Sequence, residues 1–510
     1  MIARTVTHTH VSRDVRPPGN AELLRRSAAR TPTSTALVFG ARSWSYRELW
    51  ESVCASASEL AALGISPGDR VAVLGRNSDR YVIAFLATQL LAAIHVPINF
   101  MLSAREIGYI VAHSGASLGL ADPELLETLR AGAEGSGCRV RRLELPAGDA
   151  AEPATPAIDA DTIAQIAYTS GTEAAPKGAM LSHGGLQAQY LSCITAGEYT
   201  GGDVFLQALP LYHCAQMHCF MMPALALGAT SVLLAAPDPA AMIDAIAAHG
   251  ATSAFAPPTV WIALLAHPRC QPAAVGSLRK GYYGAAIMPV HVVHELTERL
   301  PELRLWNFYG QTELGPLATC LGPEEQLSRA GSAGRPVLHV QTRVVDDAMR
   351  DVAPGAVGEV VHRSVQVMLG YFRDPERSAA ATAGGWFHSG DLATRDAEGY
   401  ITIVDRKKDM INTGGENVSS REVEEVLFEH PGVAEVAVVA VPDARWIEAV
   451  CAVVVLRDGV RVTAEEIRGF ARARLAGYKT PKRIVFLDAL PKNPSGKILK
   501  RELRETVLAA

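Results

Sequence analysis

Tyr168-Thr169-Ser170-Gly171-Thr172-Glu173-Ala174-Ala175-Pro176-Lys177-Gly178 packs three threonine and serine hydroxyls, two glycines and a lysine into one short stretch. Hydroxyls and backbone N–H groups donate to phosphate oxygens, and a lysine adds a compact positive charge, so the composition suits a phosphate cradle. It is not the common G-x-x-x-x-G-K-[ST] loop, because that order is absent. Composition alone leaves an ordinary polar loop open as the other reading. A second set, His213-Cys214-x-x-x-His218-Cys219, has the spacing of a metal site on neighbouring helical faces. No matching second cluster exists, which argues against zinc.

The elements that must position these residues alternate between helix and strand. Residues 46–63 read as a helix ended by Gly64, and 71–74 as a buried strand after the turn Pro67-Gly68-Asp69. Residues 78–93 read as a helix with Ser78 as N-cap. The cradle follows an apolar strand, 162–167, and precedes a helical pattern beginning near Ser182. Strands at 231–235 and 252–255 and a helix at 240–249 continue the alternation, which implies parallel sheets covered on both faces. Residues 147–161 look like a linker. The most apolar stretch, 219–236, is broken by Pro223, Gly228, Thr230 and Ser231, so it reads as a buried helix and strand and not as a membrane span.

Past Gly334 strand-like runs dominate, at 341–345, 358–362 and 400–404, and imply a β-rich subdomain. A charged joint, Asp405-Arg406-Lys407-Lys408-Asp409, follows. Beyond it come a helix at 419–429, strands at 436–441 and 449–455, a helix at 464–475 and a strand at 483–487. The expected class is therefore α/β: a large N-terminal domain of parallel-type sheets flanked by helices over 1–404, a hinge at 405–409, and a small mobile α+β domain over 410–510.

Composition narrows the function. The chain has 510 residues, 48% hydrophobic and 20% charged, with a net charge of −5. Nothing in it resembles a nucleic-acid footprint or a polybasic membrane patch. The eight cysteines are scattered and read as reduced thiols of a cytoplasmic protein. Residues 1–18 lack the apolar core of a signal peptide.

Seven segments in order resemble the adenylate-forming superfamily of acyl- and aryl-CoA synthetases, luciferases and peptide-synthetase adenylation domains. They are the 168–178 loop, Leu209-Pro210-Leu211-Tyr212-His213, Tyr309-Gly310-Gln311-Thr312-Glu313, Trp386-Phe387-His388-Ser389-Gly390-Asp391, the 405–409 joint, Gly414-Gly415-Glu416-Asn417 and Pro494-Ser495-Gly496-Lys497. The resemblance implies attack of a carboxylate on the ATP α-phosphate, release of pyrophosphate, and transfer of the acyl group from the acyl-adenylate to coenzyme A.

It also implies residue roles. Thr169, Ser170, Gly171, Thr172 and Lys177 would hold the β- and γ-phosphates, Thr312 the α-phosphate, and Glu313 Mg²⁺. Asp391 would accept the ribose hydroxyls, and Arg406 would reach ribose or phosphate. Tyr309 would stack on adenine above Gly284 and Ala285, within the Gly310-Gln311 site. Lys497 would stabilise the adenylation transition state. Lys408 would be the pivot that brings Gly414 and Gly415 in to line a pantetheine tunnel. His213 would stand beside the acyl entrance. Met217, Ala286, Leu314 and Gly315 would line an apolar acyl pocket with no aspartate for an α-amino group. A medium- or long-chain fatty acid is the first choice of substrate and a cinnamate-like aryl acid the second. A carrier protein is the alternative acceptor. One departure is local: where such loops carry Thr-Thr-Gly, this one carries Thr172-Glu173-Ala174, implying a slightly different path.

Overall fold

Helix starts are fixed by side chains that satisfy the otherwise unpaired N–H groups of a first turn. Ser45 and Glu48 form a reciprocal capping box on Tyr46–Ala62. The Ser78 hydroxyl accepts from Tyr81 N at 3.2 Å to open Asp79–Leu90. Asp238 takes Ala241 N at 2.8 Å ahead of Pro239–His249, with proline at the first helical position. In this computed structural model, residues 19–146, 148, 152–154, 156–169, 176–284, 286, 288–413, 416–443, 445–492 and 498–509 are described.

Among the described residues the chain builds four sheets. The first has six strands and includes Arg70–Leu74, Ile94–Ile98 and Ile163–Thr169 as parallel neighbours, with Lys177–Ser182 antiparallel at its edge. The second has nine strands. Its centre is parallel and runs through Val204–Gln207, Ser253–Phe255, Lys280–Gly284 and Arg304–Gly310. A four-stranded antiparallel sheet contains Val340–Val345, Gly358–Ser364, Phe387–Arg395 and Ile401–Arg406. The last sheet is organised by the hairpin Val433–Asp443 and Ile447–Leu456 and packs against the helices Ser420–Phe428 and Ala464–Arg472. This is the mixed α/β architecture expected, with parallel sheets and helices in a large N-terminal part and a smaller C-terminal one.

Three local expectations change. Lys177 is not in a loop that leads to a helix; it opens the strand Lys177–Ser182, with Thr169 opposite it, so the cradle is the connection of an antiparallel hairpin. The helix expected near Ser182 does begin there, at His183, where the Ser182 hydroxyl accepts Gly185 N at 3.1 Å. The helix expected over 78–93 stops at Leu90, because Ala92 takes a positive φ of 52° in the turn into Ile94–Ile98. Residues Ala215–Met221 form a π-helix followed by Met222–Leu227 and the strand Thr230–Leu233, so the His213–Cys219 spacing does not have α-helical facing. No helix among the described residues is long and apolar enough to cross a membrane.

Candidate active site

Lys280–Gly284 and Arg304–Gly310 end side by side, with Gly284 opposite Phe308. In open α/β sheets the crevice at these carboxyl ends is where ligands bind. Packing alone demands glycine at both ends: a Cβ on Gly284 would lie 2.3 Å from Phe308 O, and one on Gly310 1.8 Å from Pro316 O. The neighbouring strand therefore explains Gly284 before any bound base is invoked.

Around this edge three residues, two from one motif and one from another, meet at the carboxylate of a third. Asp391 lies in a strand and pairs in register with Arg406 on the next. Its buried Oδ2 accepts Tyr309 OH at 2.7 Å and Gln311 Nε2 at 2.9 Å, and Arg406 Nε stands 3.2 Å from Oδ1. Burial, followed by the Asp391 charge, pushes the Tyr309 hydroxyl well above its ordinary range, so it remains a donor. The Tyr309 ring is tilted against His362 at 6.2 Å.

The turn after Gly310 carries Thr312 and Glu313. Glu313 Oε1 accepts Tyr371 OH at 3.0 Å, and the Tyr371 ring receives Lys177 Nζ 5.0 Å from its centroid. Tyr371 thus brings Lys177 and Glu313 into one neighbourhood. Thr312 reaches the Cys214 thiol, whose pKa burial pushes up to about 12. Next to Cys214, His213 is half-buried and its Nδ1 accepts Ala215 N at 3.2 Å, which orients the ring. His213 borders a small hollow of about 10 Å³ together with Leu209, Pro210, Ala215, Gln216, Phe255 and Pro257.

The other histidine and cysteines of that segment have protein partners. His218 Nδ1 meets Tyr190 OH at 3.0 Å and its Nε2 meets Gln165 Oε1 at 3.2 Å, while burial lowers its pKa to about 3. Gln165 Nε2 donates to Cys214 at 3.6 Å and Gln189 Nε2 to Cys219 at 3.5 Å. Among the described residues no group of three or more His, Cys, Asp or Glu could hold a metal ion. Of the expected pocket residues, Met217 and Leu314 lie in one buried cluster, Gly315 turns at φ 82°, and Ala286 is exposed.

The charged joint is also engaged. Asp405, 6% exposed, accepts Ser420 N at 2.7 Å and Ser420 Oγ at 2.8 Å, capping the helix Ser420–Phe428. Arg504 pairs with Asp409 at 2.9 Å, and Lys407 with Asp347 at 3.1 Å. Lys408 is exposed between them. Ser170, Gly171, Thr172, Glu173, Ala174, Ala285, Gly414, Gly415 and Lys497 lie outside the described residues. Sequence reasoning missed Tyr371, Gln189 and Gln366. The signals available were a glutamine inside the apolar run Val365-Gln366-Val367-Met368 and a tyrosine directly after Gly370, which adopts φ 138°.

Comparison with known proteins gives the family. Residues 24–372 match the model described as AMP-binding enzyme, and 422–497 that described as AMP-binding enzyme C-terminal domain. A feruloyl-CoA synthase of Amycolatopsis sp is 40% identical over 479 residues, 94% of this chain and 97% of that one. Indoleacetate–CoA ligase of Aromatoleum aromaticum is 36% identical over 96% of this chain and 98% of its own. ATP-bound MatB from Rhodopseudomonas palustris matches with a TM-score of 0.88 at 30% identity, covering 96% of this chain and 99% of that one. The apo form of MatB covers the same shares at 31% identity with a TM-score of 0.78. The chain belongs to the AMP-binding enzyme family and is an AMP-forming acid–thiol ligase.

Proposed function

We propose that the enzyme activates an aryl carboxylic acid of the cinnamate or arylacetate type and passes the acyl group to coenzyme A. The observation that carries this reading is the apolar wall beside His213, built from Phe255, Leu209 and two prolines. Flat apolar surfaces with an aromatic ring among them suit a small aromatic acid. Relatives named for feruloyl and indoleacetate substrates support the same order, which reverses the preference for a fatty acid.

Residue roles follow from position. Asp391, held by Tyr309, Gln311 and Arg406, is the acceptor for ribose hydroxyls. Lys177 neutralises phosphate charge at the hairpin, and Thr312 donates to the α-phosphate. The site fits Mg²⁺ as nucleotide enzymes use it, because Glu313 offers one hard carboxylate oriented by Tyr371 and the remaining ligands come from phosphate and water. When bound, the ion would neutralise charge on the leaving pyrophosphate. His213, oriented through Nδ1, stands beside the apolar wall that would meet the acid. Lys497 supplies positive charge as the carboxylate attacks, and pyrophosphate leaves. The thiol of coenzyme A then attacks the acyl carbon and AMP departs. The boundary between the two parts is placed at 405–409, with Lys408 as the pivot.

Pyrophosphate release measured with ferulate, cinnamate, indoleacetate, octanoate and palmitate, each with and without coenzyme A, tests the proposal. The aromatic acids are expected to give the higher kcat/KM, and coenzyme A to yield the thioester. Preference for palmitate would return the fatty-acid reading, and thioester formed only on a holo-carrier protein would replace the acceptor.

A further inference from the structure

Residues 365–372 connect the strand Gly358–Ser364 to the helix Pro375–Ala381 and touch both halves of the site. On one side their main chain runs along Lys177–Ser182: Leu369 N donates to Met180 O at 2.9 Å, Met180 N to Gly370 O at 3.0 Å, and Phe372 N to Gly178 O at 2.8 Å. On the other side Met368 N donates to Glu313 O at 2.7 Å. Between these contacts sits Gln366, only 2% exposed. Its Nε2 lies 3.0 Å from Leu317 O, 3.3 Å from Leu314 O and 2.7 Å from Gln189 Oε1. Gln189, also buried, accepts Leu317 N at 3.1 Å, and Ser192 Oγ donates to Gln366 Oε1 at 2.6 Å.

A buried primary amide is expensive to desolvate and is kept only where its donors and acceptors are matched. Here two such amides, from segments far apart in sequence, converge on the main chain of Leu314 and Leu317. Gly315 at φ 82° ends the 3₁₀ turn Thr312–Leu314 just before the strand Leu317–Leu321, and the carbonyls of Leu314 and Leu317 at this junction take the Gln366 amide as partner. Gln189 also backs the turn sterically: its Cβ and Cγ are 3.5 and 3.6 Å from where a Gly315 side chain would begin.

We infer that Gln366, oriented by Ser192 and backed by Gln189, is a positioning residue that sets the shape of the Leu314–Leu317 wall and so governs which acids the enzyme selects. This rests on the reading of Leu314 and Gly315 as part of the acid pocket. The carbonyls of Leu314 and Leu317 can only accept, so the NH₂ group must face them, and the Ser192 hydroxyl then donates to the amide oxygen and holds that orientation. The nucleotide-binding residues are reached by a different part of the segment, through Tyr371, so the effect separates from ATP binding.

The test compares Gln366→Met, similar in volume but without donors, with Ser192→Ala and Ser192→Thr. Gln366→Met is expected to raise the KM of the preferred acid about tenfold and to lower the kcat/KM ratio between an aromatic and a straight-chain acid by about fivefold, with the ATP KM within about twofold. Ser192→Ala should move the same ratio in the same direction by less, and Ser192→Thr should restore it. If Gln366→Met fails to fold, the two serine variants decide the matter. Unchanged acid selectivity in the folded variants, or a uniform loss in kcat and both KM values with a lower melting temperature, overturns the inference. Leu314→Ala separates the two layers of the argument. If it alters selectivity while Gln366→Met does not, the positioning role is wrong. If neither alters it, the wall has been placed in the wrong part of the molecule.

Discussion

Both oxygens of Asp391 face protein donors, so in the proposed role a ribose would compete with Tyr309, Gln311 and Arg406 for this carboxylate. Asn at this position keeps the volume but removes the charge that faces Arg406. Hydrogen bonds to charged groups contribute about 1.5–3 kcal/mol, so Asp391→Asn is expected to raise the ATP KM by roughly ten- to a hundredfold. Steady-state kinetics and AMP titration calorimetry check this, and an unchanged KM would remove Asp391 from the nucleotide site. Lys497→Ala addresses the other charge. It should lower adenylate formation by about a hundredfold or more, roughly 3 kcal/mol of lost electrostatic stabilisation, while thioester formation from preformed acyl-adenylate survives. Undiminished pyrophosphate release would contradict that role. Asp391, Tyr309, Gln311 and Arg406 were legible in the sequence because each stands in a short, recognisable segment. Tyr371 and Gln366 were not. Their partners Glu313 and Leu314 lie 58 and 52 residues away, and no local pattern announces a contact made only by folding.

Among the elements, legibility follows how local the determining contact is. The starts at Asp79 and Pro239 were readable because Ser78 and Asp238 bond within their own first turn. The strand Lys177–Ser182 was not, because its pairing with Ile163–Thr169 depends on a partner across the cradle, and a lysine, two glycine-sized residues and a serine mask its period. The π-helical stretch Ala215–Met221 has no sequence signature that distinguishes it from an α-helix, yet it decides where His218 and Cys219 point. The joint offers a test at this scale. Asp405 caps Ser420–Phe428 from across the chain with three hydrogen bonds, to Ser420 N, Ser420 Oγ and, at 3.4 Å, Ser419 Oγ. Asp405→Ala should destabilise that helix start by about 1–2 kcal/mol. Limited proteolysis should then cut the C-terminal part sooner, with the melting of the N-terminal part little changed. Identical digestion of the variant and the parent protein would show that the cap contributes nothing.

For the molecule as a whole, the two parts are held in one arrangement by contacts that span them. The Asp405 cap is one, and His291 stacked on Phe428 at 5.6 Å is another. If thioester formation needs the C-terminal part to turn about Lys408, fixing the backbone there should divide the reaction. Lys408→Pro is expected to preserve pyrophosphate release within about threefold and to reduce transfer to coenzyme A by about a hundredfold. Stopped-flow measurement of the two half-reactions distinguishes this from misfolding, in which both would fall together.

The contacts of residues 369–372 along Lys177–Ser182 have a consequence for the protein in a crowded cell. That strand is the outermost of the six-stranded sheet, and an uncovered outermost strand is a template on which other chains can align and polymerise. Leu369, Gly370 and Phe372 occupy its main-chain groups, so the segment that braces the site also keeps the sheet from growing. A proteolytic nick between Gly370 and Phe372 would therefore be expected to cause self-association before it causes unfolding. Light scattering would rise with protein concentration while the circular dichroism spectrum stayed native.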